Sequence, residues 1–247
     1  TLVFDNDHLV LIQRAGTDNL LSLRREQGIE QLTAVSLKRW EESAWEWPRE
    51  ASFVIPLPSE EHVSGACSWN YSGEKLLVGF SGGAIRAFDM ASREWDESEW
   101  RHSGPILSIV SHPSAPQFGS GGADSRAAIW SERNYSSVPV LSGDWTKTDA
   151  FNSITMNATG DLLFIVAKGN VTAVDAEDGS IKWTLPKSGA AGIAPSPDGK
   201  YLALGMPTMN KIYMQKTDTG EDAFEIDCIK LNNNVPMLSF SPDGKQL

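Results

Sequence analysis

Short apolar runs alternate along this chain with polar clusters rich in glycine, proline, asparagine and aspartate. The clearest cluster, Ser-Pro-Asp-Gly-Lys, occupies Ser196–Lys200 and returns unchanged at Ser241–Lys245. Its residues specify a tight turn. Pro197 fixes φ at about −65°, Asp198 can bond the backbone ahead of it, and Gly199 takes positive φ without steric cost. The apolar run "YLALG" follows the first copy and "MLSF" precedes the second, so each copy predicts the tip of a β-hairpin.

The same pattern recurs in "NYSGEKLLVGF" at Gly73 and "NATGDLLFIVA" at Gly160. From Gly73 through Gly160 and Gly199 to Gly244 the intervals are 87, 39 and 45 residues, the first being two periods of about 43. The intervening member is "ILSIVSHPSAPQFGSGG", where Pro113 holds the turn and the glycine is lost. At the N-terminus "TLVFDNDHLVLI" reads as a further copy turning at Asp5–Asp7. A register of this length predicts four-stranded antiparallel blades, hence an all-β β-propeller. Alternation in "AIRAF" and "NVTAV" predicts half-buried strands. The helical-looking "QLTAVSLKRWEESAW" aligns better as a third strand, because "TAVSLKRWEE" parallels "AIRAFDMASRE". The blades so predicted cover 63–104, 105–148, 149–190 and 191–234, with an irregular one over 2–62 and the start of another at 235–247. Seven are expected in a complete ring, so the single domain 1–247 reads as an incomplete propeller, with more sequence and further domains expected outside it.

The net charge of −11 argues against capture of a phosphate backbone or an anionic membrane surface. No apolar run is long enough to span a bilayer as a helix. Cys67 and Cys228 belong to no metal-spaced cluster and read as buried free thiols of a reducing compartment, cytoplasmic or nuclear. Glycosylation sequons at Asn70, Asn134, Asn157 and Asn170 keep a secreted propeller as a competing reading.

The stretch "HSGPILSIVSHPSAPQFGSGGADSRAAIW" (His102–Trp130) resembles the WD-repeat β-propeller family. In that family a loop histidine, a strand serine, a turn aspartate and a strand tryptophan share a buried hydrogen-bond network. The resemblance implies that role for His102, Ser120, Asp124 and Trp130. It runs from about Glu61 to Leu247, with departures. The aspartate that usually follows the tryptophan is Ser131. The preceding blade keeps His62 but loses the turn aspartate, and later blades keep only the turn. The fold hosts many roles, so the resemblance implies little about activity.

Other chemistry weighs less than its structural explanation. "GFSGG" (Gly79–Gly83) fits a nucleophile-elbow pattern, but strands flank it on both sides where the elbow needs a helix. His8, His62 and His112 have no visible nucleophile or metal-ligand companions. "AVDAEDGSIKW" (Ala173–Trp183) resembles the tryptophan-docking repeat of quinoprotein propellers. That family repeats the motif in nearly every blade and binds pyrroloquinoline quinone beside a Ca²⁺ site, whereas here the motif occurs once, with a partial echo at Ala87–Trp95, and reads as strand–turn–strand. No cofactor or metal is therefore expected. The loop residues Trp100, Arg101, Arg126 and Trp145 are candidates for partner binding, since exposed Trp and Arg often dominate such surfaces; the competing explanation is packing between blades. Trp40, Trp45 and Trp47 form a second aromatic cluster, as a packing lid or a docking loop. The expected function is a non-catalytic scaffold for other proteins or domains. The rival is a quinoprotein-like or hydrolase-associated propeller with enzymatic activity on or beside the disc.

Overall fold

The computed structural model describes residues 8–13, 19–26, 29–36, 53–58, 62–142, 151–167, 169–227, 238–241 and 243–247. Twenty strands among them form five sheets, each a four-stranded antiparallel meander in chain order. The first contains β1 (His8–Gln13), β2 (Asn19–Glu26), β3 (Ile29–Ser36) and β4 (Phe53–Ile55). The second contains β5 (Val63–Trp69), β6 (Lys75–Phe80), β7 (Ala84–Asp89) and β8 (Glu94–Arg101). The third contains β9 (Ile106–Ser111), β10 (Gln117–Gly122), β11 (Arg126–Ser131) and β12 (Ser137–Ser142). The fourth contains β13 (Phe151–Met156), β14 (Leu162–Ala167), β15 (Asn170–Asp175) and β16 (Ile181–Pro186). The fifth contains β17 (Gly192–Pro195), β18 (Tyr201–Met206), β19 (Lys211–Lys216) and β20 (Asp222–Asp227). First strands of successive sheets lie side by side, β1 against β5, β5 against β9, β9 against β13 and β13 against β17. This is a β-propeller.

The core is divided among the gaps between sheets. Ile55 of the first sheet meets Leu76, Val78, Phe80 and Phe88 of the second. The opposite face of the second sheet, with Leu77, Ile85 and Trp100, meets Ile106, Phe118 and Trp130 of the third. Ile129 packs on Leu163 and Ile165, and Phe164 and Val166 pack on Ile193 and Leu204. The middle strands β6, β7, β10, β11, β14 and β15 are therefore covered on both sides. "AIRAF" and "NVTAV" are buried throughout apart from Arg86 and the outer residues, not half-buried as their alternation predicts. The reason is that each inner strand sits between two neighbouring sheets, which favours continuous apolar runs. The outer strands β8, β16 and β20 keep exposed positions, and charge in β8 and β20 resists edge pairing.

The turn between first and second strands is closed the same way each time. The backbone amides of Asn70, His112, Asn157, Ser196 and Ser241 donate to the carbonyls five residues ahead, at Lys75, Gln117, Leu162, Tyr201 and Gln246. The two Ser-Pro-Asp-Gly-Lys copies share one bond set. Ser196 Oγ donates to Asp198 and accepts from the Tyr201 amide, while Ser241 Oγ donates to Asp243 and accepts from the Gln246 amide. Residues 238–241 and 243–247 add this turn but no strand; Leu238 and Phe240 rest on the fifth sheet. His8 opens β1, and the expected turn at Asp5–Asp7 lies outside the described residues. Trp40, Trp45 and Trp47 also lie outside them.

Candidate functional site

Loops that join one sheet to the next, and turns between second and third strands, lie at one end of the sheets, because the His102 amide donates to Gly83 O and the Lys187 amide to Gly169 O. All four residues of the buried network meet there. His102 Nδ1 lies 3.0 Å from Asp124 Oδ1, His102 Nε2 lies 2.8 Å from Ser120 Oγ, and Trp130 Nε1 donates to Ser120 Oγ at 2.6 Å. The ends of this chain fix its polarity. An indole only donates and a carboxylate only accepts, so Ser120 donates to Nε2 and His102 carries its proton on Nδ1. Gly122 makes room for the ring: a Cβ there would stand 2.8 Å from His102 Nδ1. Burial acts to raise the Asp124 carboxyl. The Ser103 amide at 2.9 Å and the His102 ring outweigh it and hold the group below its ordinary value. Every polar side-chain atom of His102 and Ser120 is engaged, and both residues are buried, at 4% and 0% exposure.

The other candidates separate. Arg101 is exposed but held: its guanidinium binds Glu99 and donates to Gly82 O at 3.0 Å. Glu99 also holds Arg86 at 2.8 Å. Arg126 is exposed beside the Asp124 turn, and its amide donates to Asp124 Oδ1 at 3.2 Å. Trp100 is only 3% exposed, which corrects the expectation of a loop anchor. It sits within β8 rather than after it, its ring packs edge-on to Phe118 at 4.9 Å, and its N–H donates to Ser131 O of the next sheet at 3.1 Å. Trp145 lies outside the described residues. His62 is exposed, and the turn between β6 and β7 of its sheet carries no aspartate. Ser81 occupies a hairpin tip between β6 and β7, not a strand-to-helix turn.

Trp183 is more than the end of a strand–turn–strand. Its indole donates to Thr217 O of the next sheet at 3.0 Å, and its ring lies over Gly220, where a Cβ would stand 2.9 Å from Cδ2. Among the described residues no three His, Cys, Asp or Glu side chains converge as metal ligands. Burial pushes the free thiol of Cys67 up to about 12, and Cys228 lies outside the described residues.

Repeated four-stranded antiparallel sheets packed face to face define a β-propeller repeat protein. The profile of a family described as outer membrane protein assembly factor BamB matches residues 6–185, and the chain belongs to that family. No curated protein matches the sequence. Among solved structures, the chain is similar to the β-propeller domain of Myceliophteria thermophila Cps50 (Swd1), with 16% identity and a TM-score of 0.66. That alignment covers 87% of this chain and 67% of the other, and at such identity it shows the fold alone.

Two features became definite only in the structure. The turn-closing series Asn70, His112, Asn157, Ser196 and Ser241 was visible as small or ring polar residues 39 to 45 residues apart. The contact of Trp100 with the third sheet had no such signal, because the same letters suit a loop anchor.

Proposed function

We propose that this propeller is a WD-type, non-catalytic platform that holds other proteins or domains against the end bearing Arg101, Ser103 and Arg126. The observation that supports this reading best is the closed hydrogen-bond chain at His102. Its polar atoms are used to fix the inter-sheet loop and the Asp124 turn, so that end offers a pre-shaped surface rather than a reactive group. A pre-organised surface loses little ordering entropy on binding. The partners in this reading are polypeptides, in a cytoplasmic or nuclear setting, with no nucleic acid, no membrane and no cofactor involved.

The test compares proteins retained by the parent and by Arg101→Ala/Arg126→Ala at matched thermal stability. Loss of specific partners is expected, and retention of every partner refutes this face as the platform. A second reading, an enzyme of quinoprotein type, draws on the family match and on the docking of Trp183. Saturable binding of pyrroloquinoline quinone with Ca²⁺, followed by fluorescence, would favour it over the platform.

A further inference from the structure

At the opposite end of the sheets a cleft of about 200 Å³ opens between the second and third sheets. That volume suits one side chain and falls below the ~300–1,000 Å³ typical of cofactor pockets. Trp100 lies at its base, and Tyr135 lies on the indole with ring centroids 4.8 Å apart and planes tilted by 31°. Tyr71 stands on the first turn of the second sheet; both tyrosines keep over a third of their surface exposed, at 40% and 37%.

Tyr135 adopts φ 57, a region that disfavours L side chains. In the fourth and fifth sheets the same turn position holds Gly179 and Gly220, and in the second it holds Arg93 at φ 62. A tyrosine is thus kept where glycine is the easy solution, and its ring forms a wall of the cleft.

Glu132 is the second peculiarity. Asn70 Nδ2 donates to its Oε2 at 3.1 Å and the Tyr71 amide also bonds the carboxylate, while Oε1 is buried with no donor. Desolvation pushes this carboxyl above its ordinary value. Lys75, the nearby cation in the lining, is already taken by Asp96 with both oxygens at 2.8 Å. Glu74 and Arg133 complete the charged lining, so three carboxylates face two cations. The carboxylate is two-fold about its terminal torsion, so whichever oxygen takes the Asn70 bond the other is left without a donor.

We propose that this cleft receives the guanidinium of an arginine side chain presented by a partner polypeptide, with the tyrosine rings as its apolar walls and Glu132 as its counter-ion. A guanidinium fits better than an ammonium. It is planar, weakly hydrated, stacks on aromatic faces and donates in a fork to a carboxylate. The inference deepens the platform reading by adding a second contact at the far end. It fails independently of it, because the probe below is a single amino-acid derivative that needs no Arg101 or Arg126.

The experiment titrates the ¹⁵N-labelled full chain with N-acetyl-arginine methylamide, with its citrulline counterpart and with N-acetyl-lysine methylamide. The expected result is saturable shifts at Tyr71, Glu132 and Tyr135 from the arginine probe, with a Kd on the order of millimolar. The citrulline probe, which lacks the charge, should bind about tenfold more weakly. Glu132→Gln keeps the Asn70 bond and should also weaken the arginine probe about tenfold. Tyr135→Gly gives the turn the residue used at Gly179 and Gly220, so it should fold and still lose binding. Equal responses to arginine and citrulline, or unchanged binding by either variant, overturn the proposal. Equal binding of the lysine probe overturns the assignment to guanidinium.

Discussion

Replacing Ser120 with alanine tests the logic of the buried network. The serine is fully buried and its one hydroxyl serves both neighbours: it accepts from Trp130 Nε1 at 2.6 Å and bonds His102 Nε2 at 2.8 Å. The substitution removes a single heavy atom, Oγ, so packing loss is small. The cost is polar. An indole N–H and an imidazole nitrogen are left without partners in a dry gap, each at about 1–3 kcal/mol. Partial relaxation of the ring sets an expected loss of about 2–4 kcal/mol, a large share of the ~5–15 kcal/mol by which a domain is stable. For a chain of this size Tm should fall by about 5–15 °C. Urea titration followed by tryptophan fluorescence measures the loss. A cycle with Trp130→Phe isolates the bond, because the second substitution should cost about 1–2 kcal/mol less in the Ser120→Ala background. A loss under about 0.5 kcal/mol, or strict additivity, would show that the network is not coupled and would refute the reasoning.

His112 Nδ1 accepts from the amides of Ser114 at 3.1 Å and Ala115 at 2.9 Å, so the ring must be neutral there. Burial holds its pKa below the ordinary value, against the opposing pull of Asp161. Its contribution is therefore complete above about pH 6.5 and is lost as pH falls through the lower folded value. His112→Asn, which copies Asn70 and Asn157, should make Tm fall less between pH 7 and pH 5 than in the parent, as thermal melts at both values will show. Gly220→Ala places a Cβ 2.6 Å from Leu185 Cδ1 at φ 73, and should cost about 2 kcal/mol or more by denaturant titration. Asn70 and Asn157 are 7% and 6% exposed with their amide nitrogens bonded to Glu132 and Asp161. Mass spectrometry of native material should find no glycan on either.

The period of about 43 residues, the hairpin tips and the set His102, Ser120, Asp124 and Trp130 were legible in the amino-acid sequence. These features are local or sit at fixed spacing: a turn is specified by its own residues, and a repeat by its recurrence. The sequence also carried Gly179 at its turn, with φ 74. It did not decide which indoles face water. Trp100 reads like a loop anchor, yet the strand β8 extends through it and the third sheet closes over it. Nor did it decide that "AIRAF" would be covered on both faces, since alternation describes one strand and burial depends on what packs on each side. The cleft beside Tyr135 and Glu132 exists only because two sheets meet there. Local chemistry fixes turns and strands; which surfaces remain open is set by neighbours about forty residues away, and only the packed arrangement supplies them.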